Sequence, residues 1–575
     1  MANDPKMYSP GPNLPAMMFG LARTWPERPM LRHFRDGAWQ SVTWAAFALA
    51  AASVARHLRA AGVHAGDRVM IVSENRPEYP IAETALMAIR AVPVPAYVTN
   101  TIDDHAHILR DCGARGAIVS SAALAGRLRE AGARAGGLEL LVVMDGPPEA
   151  AAGHPRLIPW AELAADSVLA DDMASEAATI SADTLACLIY TSGTGGAPKG
   201  VMLAHRSILS NCRGAFELLQ PLRLKNEVYL SYLPTAHSYE HTVGLFFLPS
   251  IGTEIVYARG VEHLAADMMT VRPTILTAVP RVLEVIRSRV LAQVARQPTW
   301  QQRMFEQALE IGCKRIEGRR LTATERVLDP VLDRLVRAKV RQRFGGRLIA
   351  AMSGGARLEP EVGRFFLALG IQLMQGYGQT EAGPVISANP PDAIRIETVG
   401  RPLVGVELRT AEDGEILVRG NLVMDGYWGR PEDTAAAISD GWLRTGDIGE
   451  LDADGYLRIT DRKKDMIVLS GGENVSPAKV EGILTAEPEI AQAVVAGDGR
   501  VGLTALCVPA EGCDELVLAV AVSRANMRLS VTERIRRHAV VAPFTVENGL
   551  LTPSHKVRRF AAIRANAEAL RKLHW

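Results

Sequence analysis

Short apolar runs alternate along the chain with longer segments in which leucine and alanine recur at helical spacing. The runs cover residues 68–72, 116–120, 138–144 and 273–279. Alternation of this kind is typical of α/β layering, in which helices cover a mostly parallel sheet. We therefore predict an α/β fold, and no repeat of fixed period interrupts the pattern along the sequence.

The hydrophobic pattern changes at residues 449–460, where alternating residues flank the turn signal Asp454-Gly455. This pattern predicts a β-hairpin. A dense run of charge at 461–465 follows at once, and such a run between apolar segments belongs on an exposed connection. We place the main domain boundary here. The prediction is a large N-terminal domain of layered sheets and helices over 1–463 and a small α+β C-terminal domain over 464–575.

Residues 281–347 differ in composition from the rest of the chain. They contain 16 Lys or Arg against 7 Asp or Glu, with leucine, valine and isoleucine at helical spacing. The pattern predicts an amphipathic helical layer whose charged face is solvated. A face that contacts a membrane peripherally is the alternative.

The overall composition is that of a water-soluble protein of more than one domain, with 575 residues, 48% of them hydrophobic. Lys plus Arg (64) nearly balances Asp plus Glu (63), so no global charge favours nucleic acid as a partner. The six cysteines are scattered without metal-ligand spacing, as expected in a reducing compartment. The N-terminus lacks a signal-like stretch, and the Ala-rich run 43–55 is too short to span a membrane. We expect a cytoplasmic protein; contact with the inner membrane face and a homodimer are left open.

The strongest candidate for chemistry is the segment 190–200, Tyr-Thr-Ser-Gly-Thr-Gly-Gly-Ala-Pro-Lys-Gly. Its glycines allow backbone amides to approach an anion, its hydroxyls add donors, and Lys199 adds a positive charge. The segment is not a Walker A loop, because no Gly-Lys-Ser/Thr occurs at the required spacing and Pro198 precedes the lysine. It predicts a phosphate-binding loop.

This loop resembles the signature of the acyl-adenylate-forming superfamily, which includes acyl-CoA synthetases, luciferases and peptide-synthetase adenylation domains. The signature reads approximately Thr-Ser-Gly-Thr-Thr-Gly-x-Pro-Lys-Gly. Residues 191–200 match it with one departure, Gly195 in place of the second of two threonines, which removes one donor to phosphate. The resemblance implies ATP as a substrate and a set of contacts to it from Thr191, Ser192, Gly193, Thr194 and Lys199.

A second segment resembles the same family further along the chain. The Ser-Gly-Gly-Ala turn at 353–356 is similar to the adenine-binding turn, where small residues let a flat base lie against the backbone. The resemblance implies nucleotide contacts from Gly354, Gly355 and Ala356.

The segment Gln-Gly-Tyr-Gly-Gln-Thr-Glu-Ala at 375–382 resembles the next signature of the family. By this resemblance Gly376 and Tyr377 belong to the nucleotide site, and the ring of Tyr377 stacks on adenine. Thr380 contacts phosphate, and Glu381 helps to hold Mg²⁺. A carboxylate oxygen suits a hard cation that bridges phosphates.

The C-terminal quarter of the chain carries two more resemblances. The Gly-Trp-Leu-Arg-Thr-Gly-Asp segment that ends at Asp447 is similar to the one whose aspartate binds both ribose hydroxyls, and Arg462 to the arginine that also reaches the ribose. Lys556 matches the catalytic lysine of the family, and the sequence around it is close to that of long-chain acyl-CoA synthetases. An ammonium can bridge the carboxylate and the α-phosphate during adenylation.

The family uses one site for two half-reactions by rotating its small domain about a hinge residue, which implies that the C-terminal domain is mobile. The resemblance places the hinge at Lys464, two positions after Arg462. It also implies that the turn at 470–472, with Gly471 and Gly472, lines the tunnel for the pantetheine arm of coenzyme A.

The segment 233–241 resembles the one whose histidine or aromatic residue, here His237, sits between the acyl pocket and the thiol channel. A histidine with a purely structural role is the alternative. Thr235 occupies a position where leucine is usual, which leaves the specificity for the acid open.

The resemblance implies an ATP-dependent acid–CoA ligase in which Lys556, Glu381 and His237 serve catalysis, with ATP, Mg²⁺ and CoA required. Long- or medium-chain fatty acids are favoured, because the segment around Lys556 and the region 281–347 resemble long-chain synthetases. An aryl or hydroxycinnamate–CoA ligase is one alternative. An adenylating enzyme that loads a carrier protein is another, and a non-catalytic nucleotide-binding regulator is a third.

Overall fold

The computed structural model describes residues 11–146, 155–164, 170–191, 197–471, 473–552 and 556–573. Contacts divide the chain into two compact units. The large unit consists of the described parts of Met1–Thr191, Gly200–Glu407 and Val418–Leu443. The small unit consists of those of Ser192–Lys199, Leu408–Leu417 and Arg444–Trp575. Both contain helices and strands, and the α/β prediction is confirmed.

The strands are numbered in chain order. The first fourteen are β1 (Pro29–Arg35), β2 (Ala38–Thr43), β3 (Arg68–Val72), β4 (Val92–Pro95), β5 (Gly116–Val119), β6 (Leu140–Val143), β7 (Arg156–Pro159), β8 (Leu185–Thr191), β9 (Lys199–Ala204), β10 (Val228–Ser231), β11 (Glu254–Tyr257), β12 (Ile275–Ala278), β13 (Ala350–Ser353) and β14 (Leu373–Gly378). The next are β15 (Val385–Ala388), β16 (Arg401–Pro402), β17 (Glu407–Thr410), β18 (Glu415–Arg419), β19 (Gly426–Tyr427), β20 (Ile438–Ser439), β21 (Trp442–Leu451), β22 (Leu457–Arg462), β23 (Ile467–Val468), β24 (Asn474–Val475), β25 (Ile490–Ala496), β26 (Leu503–Pro509) and β27 (Ile535–Val540).

The helices are numbered in the same way. They begin with α1 (Leu14–Thr24), α2 (Trp44–Ala60), α3 (Glu78–Ala88), α4 (Ile102–Cys112), α5 (Ala122–Ala135), α6 (Trp160–Leu163), α7 (Ala170–Ala177), α8 (His205–Leu219), α9 (Ser238–Thr242), α10 (Leu248–Ser250) and α11 (Leu264–Val271). They continue with α12 (Pro280–Ala295), α13 (Thr299–Ile316), α14 (Ala323–Leu332), α15 (Ala338–Gln342), α16 (Pro360–Ala368), α17 (Pro431–Ala437), α18 (Pro477–Thr485), α19 (Glu515–Met527), α20 (Arg559–Ala565) and α21 (Ala567–Leu573). Single π-helical turns cover Val243–Phe247 and Asp333–Arg337.

The larger sheet of the large unit has nine strands in the spatial order β16-β15-β14-β13-β12-β10-β11-β1-β2. Its six inner strands, from β14 to β1, pair in parallel, and antiparallel strands close both edges. Because the inner strands are parallel, the loops that follow them leave the sheet at the same edge. Ligands bind at that edge in open α/β sheets.

A second sheet of the large unit is wholly parallel, in the order β4-β3-β5-β6-β7. Three of its strands lie within or at the apolar runs 68–72, 116–120 and 138–144, and β12 lies within the fourth run, so the predicted strands are confirmed. Residues of β4, β5 and β6 are buried without alternation, as expected for parallel strands covered on both faces.

The predicted helical layer at 281–347 is confirmed as α12 to α15 with the π-helical turn Asp333–Arg337. A capping box in which Thr322 and Glu325 exchange hydrogen bonds starts α14. Ala308, Ile311 and Leu332 form a buried seam within the layer. A Cβ at Gly312 would lie 2.3 Å from the carbonyl oxygen of Ala368, so α13 packs closely against α16.

In the small unit β22 pairs antiparallel with the end of β21. The turn between them is closed by hydrogen bonds between Asp452 and Tyr456, and the predicted hairpin is confirmed. The strands β25, β26 and β27 form a three-stranded sheet. Helices α18 and α19 contribute Val480, Leu484 and Leu518 to a core with this sheet.

No helix among the described residues combines the length and the apolarity needed to cross a membrane.

Candidate active site

The turn at 353–356 follows β13 at the carboxyl edge of the nine-stranded sheet. The amide of Gly354 donates to the carbonyl oxygen of Ala278, 3.1 Å away, which ties the turn to β12. A Cβ at Gly354 would lie 3.2 Å from the ring of Tyr239, a contact so tight that the ring would have to give way by a few tenths of an ångström. Gly355 has a φ of +80°, a conformation that favours glycine. Gly355 and Ala356 are exposed.

The segment 375–382 follows from β14, the neighbour of β13. Ser353 and Gln375 are paired in register, so the two segments leave the sheet side by side. Gly376 and Tyr377 are both half-buried. A Cβ at Gly376 would lie 3.3 Å from the carbonyl oxygen of Ser387, which favours glycine there as well.

Thr380 and Glu381 begin a short 3₁₀ turn after β14. The hydroxyl of Tyr427 donates to Oε1 of Glu381 over 2.9 Å. The amide of Met424 donates to the carbonyl oxygen of Glu381, also over 2.9 Å. Burial, followed by the charge of Glu381, raises the pKa of Tyr427, which keeps this hydroxyl a donor. Tyr427 was not predicted, because nothing in the sequence marks its contact with a residue 46 positions away.

His237 caps the N-terminus of α9, and its Nδ1 accepts a hydrogen bond from the amide of Tyr239 over 3.2 Å. In the neutral imidazole the proton therefore lies on Nε2. The next residue, Ser238, places its Oγ 2.9 Å from Oγ1 of Thr380. The structure thus brings α9 together with the segment 375–382.

Thr235, the departure from the family pattern, is buried and has a partner. Its hydroxyl donates to Oδ1 of Asn75 over 2.7 Å, and its amide donates to the same oxygen over 3.0 Å. Nδ2 of Asn75 in turn donates to Oγ of Ser231 and to the carbonyl oxygen of Leu233. Asn75 therefore holds the chain from β10 towards His237. No local pattern marks Asn75, since the two partners lie 160 positions apart.

Asn75 reaches this segment from a cleft of about 250 Å³. The cleft lies where the carboxyl ends of β1, β3 and β11 meet. Several of its charged side chains pair with one another, and Arg76 binds both Glu78 and Asp145. The cleft contains none of the residues predicted for the site.

The phosphate-loop residues predicted from the sequence are placed in part. Thr191 is the last residue of β8 and Lys199 is the first of β9. Ser192, Gly193 and Thr194 lie outside the described residues.

The strands around this loop are fixed by Tyr190. The hydroxyl of Tyr190 donates to Oδ2 of Asp111 over 2.7 Å, and Arg430 binds the other oxygen of Asp111 over 2.9 Å. A Cβ at Gly200 would lie 3.1 Å from the ring of Tyr190, so β9 approaches β8 closely there. Asp111 and Arg430 were not anticipated from the sequence.

In the small unit Asp447 and Arg462 face each other across the hairpin of β21 and β22. Nε of Arg462 lies 3.1 Å from Oδ1 of Asp447, and the aspartate is buried whereas the arginine side chain is 54% exposed. The structure brings together the two residues predicted to bind ribose. Lys463, which follows Arg462, binds Asp413 and Glu415 over 2.6 and 3.0 Å. Lys464 comes next in the chain, after β22 has ended.

The backbone of Lys556 is anchored to Thr552. The amide of Thr552 donates to the carbonyl oxygen of Lys556 over 2.8 Å, and the amide of Lys556 donates to the hydroxyl oxygen of Thr552 over 3.0 Å. More than a third of the residue's surface is exposed, yet desolvation of its ammonium group is the main cause that lowers the pKa of Lys556 to about 8. The positive charge of Arg462 lowers the pKa further, and Asp447 opposes both. Lys556 therefore shares one electrostatic environment with the two predicted ribose residues.

Gly471 is exposed in the turn between β23 and β24, and Gly472 lies outside the described residues. The amide of Ser470 donates to the carbonyl oxygen of Arg500 over 2.8 Å, which anchors the start of this turn. Among the described residues no group of three or more His, Cys, Asp or Glu side chains is arranged to hold a metal ion.

Two family models match the chain. Residues 20–428 match the AMP-binding enzyme family, and residues 464–574 match the AMP-binding enzyme C-terminal domain. Among curated proteins, the long-chain-fatty-acid–CoA ligase FadD15 of Mycobacterium tuberculosis is 33% identical over 577 residues, covering 95% of this chain and 94% of its own. The peroxisomal long chain acyl-CoA synthetase 7 of Arabidopsis thaliana is 29% identical, covering 94% of this chain and 83% of its own.

Two solved structures share the fold. The o-succinylbenzoate CoA synthetase of Bacillus subtilis in complex with its acyl-adenylate has a TM-score of 0.71 at 22% identity, covering 95% of this chain and 97% of its own. The anthranilate CoA ligase AuaEII in complex with anthranoyl-AMP has a TM-score of 0.76 at 21% identity, covering 97% and 98%. With the family models and the full-length relatives, these findings show that the chain belongs to the AMP-binding, adenylate-forming enzyme family and is of the long-chain fatty-acid–CoA ligase type.

Proposed function

We propose that this chain is an ATP-dependent fatty acid–CoA ligase. An oxygen of the acid attacks the α-phosphorus of ATP to give acyl-AMP and pyrophosphate, and the thiolate of CoA then attacks the acyl carbon and releases AMP. The observation that carries the proposal is the meeting of the 353–356 turn, Thr380 and α9 at the carboxyl edge of the parallel sheet. Relatives that match this chain nearly end to end are named as long-chain fatty-acid–CoA ligases.

The nucleotide is proposed to lie at that edge. The half-buried ring of Tyr377 is available for stacking on adenine, and glycines at 354, 355 and 376, with Ala356, let the base approach the backbone. The hydroxyl of Thr380 and the loop after β8 would contact the phosphates; the proposed loop residues are Thr191, Ser192, Gly193, Thr194 and Lys199. Asp447 and Arg462, which face each other in the small unit, are proposed to bind the ribose hydroxyls.

Glu381 fits a Mg²⁺ ion that enters with ATP. Its carboxylate is half-buried and is oriented by Tyr427, and a single carboxylate together with phosphate oxygens is a common way for proteins to bind Mg²⁺. The ion, when bound, supplies charge neutralisation at the phosphates. The role of this chain is to hold the carboxylate in place.

Lys556 is proposed to assist adenylation. Its ammonium would lie between the attacking carboxylate and the α-phosphate and would stabilise the charge that develops there. With a pKa lowered to about 8, most of the lysine is protonated at neutral pH, as this role needs. For thioester formation we propose Lys464 as the hinge, and Gly471 and Gly472 as a tunnel wall narrow enough for the pantetheine arm.

The acid is proposed to be a long- or medium-chain fatty acid, with His237 between the acyl pocket and the thiol. Nε2 of His237 carries the proton in the neutral ring and can donate to an oxygen of the acid or of the adenylate. An aryl acid, or delivery to a carrier protein, remains the alternative to be tested.

The first test is ATP–pyrophosphate exchange in the purified protein with palmitate and without CoA, followed by acyl-CoA formation when CoA is added. The proposal expects exchange that depends on the acid, and AMP release that depends on CoA. Acid-dependent exchange with acyl transfer only to a carrier protein would overturn the CoA assignment. Nucleotide binding without exchange would mean that the chain is not a ligase.

A peripheral membrane contact is proposed for the outer face of α14 and the turn after it. Val327, Val331 and Leu335 recur every four residues and are 75%, 46% and 46% exposed. Exposed basic residues flank this stripe: Arg326, Arg334 and Lys339. An apolar stripe flanked by positive charge is complementary to an anionic lipid surface.

Flotation of the protein with vesicles of phosphatidylcholine, with or without phosphatidylglycerol, tests this contact. Val331→Glu should reduce flotation with the anionic vesicles, whereas Val501→Glu, an equally apolar exposed position in the small unit, should not. Equal flotation of both variants and the parent would overturn the contact. A homodimer and the cytoplasmic location stay predictions.

A further inference from the structure

Glu240 is a buried carboxylate in α9, the helix that follows His237. It is 1% exposed. Oε1 accepts from the hydroxyl of Ser231 and Oε2 from the hydroxyl of Tyr229, each over 2.6 Å. Tyr229 is also hydrogen-bonded to Thr277, so the carboxylate is tied to both β10 and β12. No arginine or lysine of the described residues pairs with Glu240.

A second buried carboxylate holds the next residue of the same helix. Nε2 of His241 lies 2.5 Å from Oε1 of Glu83 in α3, and both side chains are fully buried. The ring of His241 also packs edge-on against Phe246. The helix α9 is therefore fixed from two directions, by the nine-stranded sheet through Glu240 and by α3 through His241.

Two more side chains of α9, those of Ser238 and Tyr239, touch the proposed nucleotide site. Ser238 contacts Thr380, and the hydroxyl of Tyr239 donates to the carbonyl oxygen of Met352 over 3.1 Å while its ring lies against Gly354. The helix α9 runs on without a break through the π-helical turn Val243–Phe247 into α10, and a helical segment this short is marginal on its own because it fixes many torsions for few internal hydrogen bonds. Its position is thus set by what its side chains bind.

A buried carboxylate without a cation is expensive, and hydrophobic packing would stabilise the same space better. Burial raises the pKa of Glu240 to about 7, and the hydroxyls of Ser231, Tyr229 and Thr277 oppose the rise. The aromatic hydroxyls around it belong to Tyr232, Tyr239 and Tyr257, which are neutral at this pH. A group that adds so little to stability must be explained by the geometry that it enforces.

We propose that Glu240 is a positioning residue for adenylation, which acts by holding α9 so that Ser238 and Tyr239 meet the turns at Thr380 and Gly354. The inference rests on the proposed function, because adenylation is the step that these turns serve. Glu240 touches neither substrate nor cofactor in this scheme; it acts through the helix.

The test compares Glu240→Ala with Glu240→Gln in acid-dependent ATP–pyrophosphate exchange. Glutamine keeps the size and an acceptor for Ser231, so it should retain exchange within about threefold, whereas alanine frees the helix. A displacement of about 1 Å near reacting groups can cost ~10²-fold in rate, and we expect a loss of kcat/KM of that order for Glu240→Ala. Equal losses in both variants would overturn the proposal, since the charge and not the position would then matter.

A double-mutant cycle with Ser238→Ala separates positioning from general destabilisation. If Glu240 acts through Ser238, the serine substitution should cost little in a chain that already carries Glu240→Ala. Losses that simply multiply would contradict the proposal. Should Glu240→Ala fail to fold, Tyr229→Phe decides in its place: it removes one donor, and a loss of exchange at unchanged Tm supports the proposal, whereas parental exchange overturns it.

Asp329→Asn is the matched control. Asp329 is also a buried carboxylate, but it pairs with Arg337 inside the helical layer and does not touch α9. It should lower Tm and leave exchange kinetics unchanged. A parent protein without acid-dependent exchange would overturn the proposed function itself, whereas an active parent with an equally active and folded Glu240→Ala would overturn only this inference.

Discussion

The candidate site residues of the large unit and those of the small unit are held in place by different forces. In the large unit the positions depend on shape: a Cβ at Gly354 or Gly376 would make an unusually tight contact, and hydroxyls such as those of Ser238, Thr380 and Tyr427 make the polar contacts. In the small unit they depend on charge. Asp447, Arg462 and Lys556 share one electrostatic environment, and the pKa of the lysine is lowered to about 8.

The difference predicts how the activity responds to changes in each unit. Neutral contacts fixed by close packing should respond to changes of volume and hardly to pH. Contacts made by partly desolvated charged side chains should respond to pH and to the removal of a single charge. Substitutions in the two units should therefore give distinguishable kinetic patterns.

The largest effect is expected for Lys556→Ala. Removal of a charge that stabilises a transition state commonly costs ~10²–10³ in rate, and the loss should fall on acyl-AMP formation. Conversion of supplied acyl-AMP to acyl-CoA should be largely retained. Arg558→Ala, at an exposed cation two positions away, is the control and should be near parental in both half-reactions. Equal damage to both steps by Lys556→Ala would contradict its assignment.

A smaller effect, on the order of tenfold to hundredfold in kcat/KM for ATP, is expected for Gly354→Ala. The new methyl group would lie 3.2 Å from the ring of Tyr239 and would push α9 or the turn aside. Gly126→Ala, where a Cβ meets nothing within 4 Å inside α5, should stabilise the chain slightly and leave kinetics unchanged. The loss at Gly354→Ala should be the same at pH 6.5 and pH 8.5; a strong pH dependence would contradict the role given to shape.

The pH profile of adenylation should show the opposite behaviour in the small unit. A lysine with a pKa of about 8 is charged below that pH and loses its proton above it. The kcat/KM for ATP should therefore fall about tenfold per pH unit above pH 8. Lys556→Arg keeps its charge throughout this range, so its profile, at whatever activity it has, should stay flat to higher pH. If the profile of the parent protein were flat to pH 10, the role proposed for Lys556 in adenylation would be contradicted.

The smallest effect is expected for Thr235→Leu. The substitution removes the hydroxyl that donates to Asn75, while the amide of residue 235 still donates to the same oxygen. One neutral hydrogen bond contributes about 0.5–1.5 kcal/mol, so kcat/KM for the acid should fall less than about tenfold. Asn75→Ala should cost more, because it also releases Leu233 and Ser231. If Thr235→Leu lowered kcat/KM more than Asn75→Ala, then Asn75 would not be the residue that holds the chain between β10 and His237.

Local features of the fold were predictable from the sequence. The strand β3 coincides with its apolar run, the hairpin turn lies at Asp454-Gly455, and the helical layer lies where basic and apolar residues recur at helical spacing. Each of these depends on neighbours within a few residues, which a sequence displays directly. The motif residues at 353–356 and 375–382 were placed side by side by the register of β13 and β14.

The supporting residues were not predictable, because each acts across a long stretch of chain. Asn75 meets Thr235, Tyr427 meets Glu381, and Glu83 meets His241, all through tertiary packing that no local pattern records. A lone asparagine or tyrosine in a sequence is far more often a surface or core residue than a support of a site. Only the packed structure shows which one it is.

The most direct test of the central claim, that the chain activates fatty acids, is the dependence of kcat/KM on the acid. Straight-chain acids from C4 to C18 would be compared with benzoate and ferulate, with acyl-CoA and AMP measured together. Each methylene that is buried adds up to about 0.8 kcal/mol of binding, so kcat/KM should rise with chain length. A maximum at an aromatic acid, or at the shortest chains with a fall thereafter, would contradict the claim.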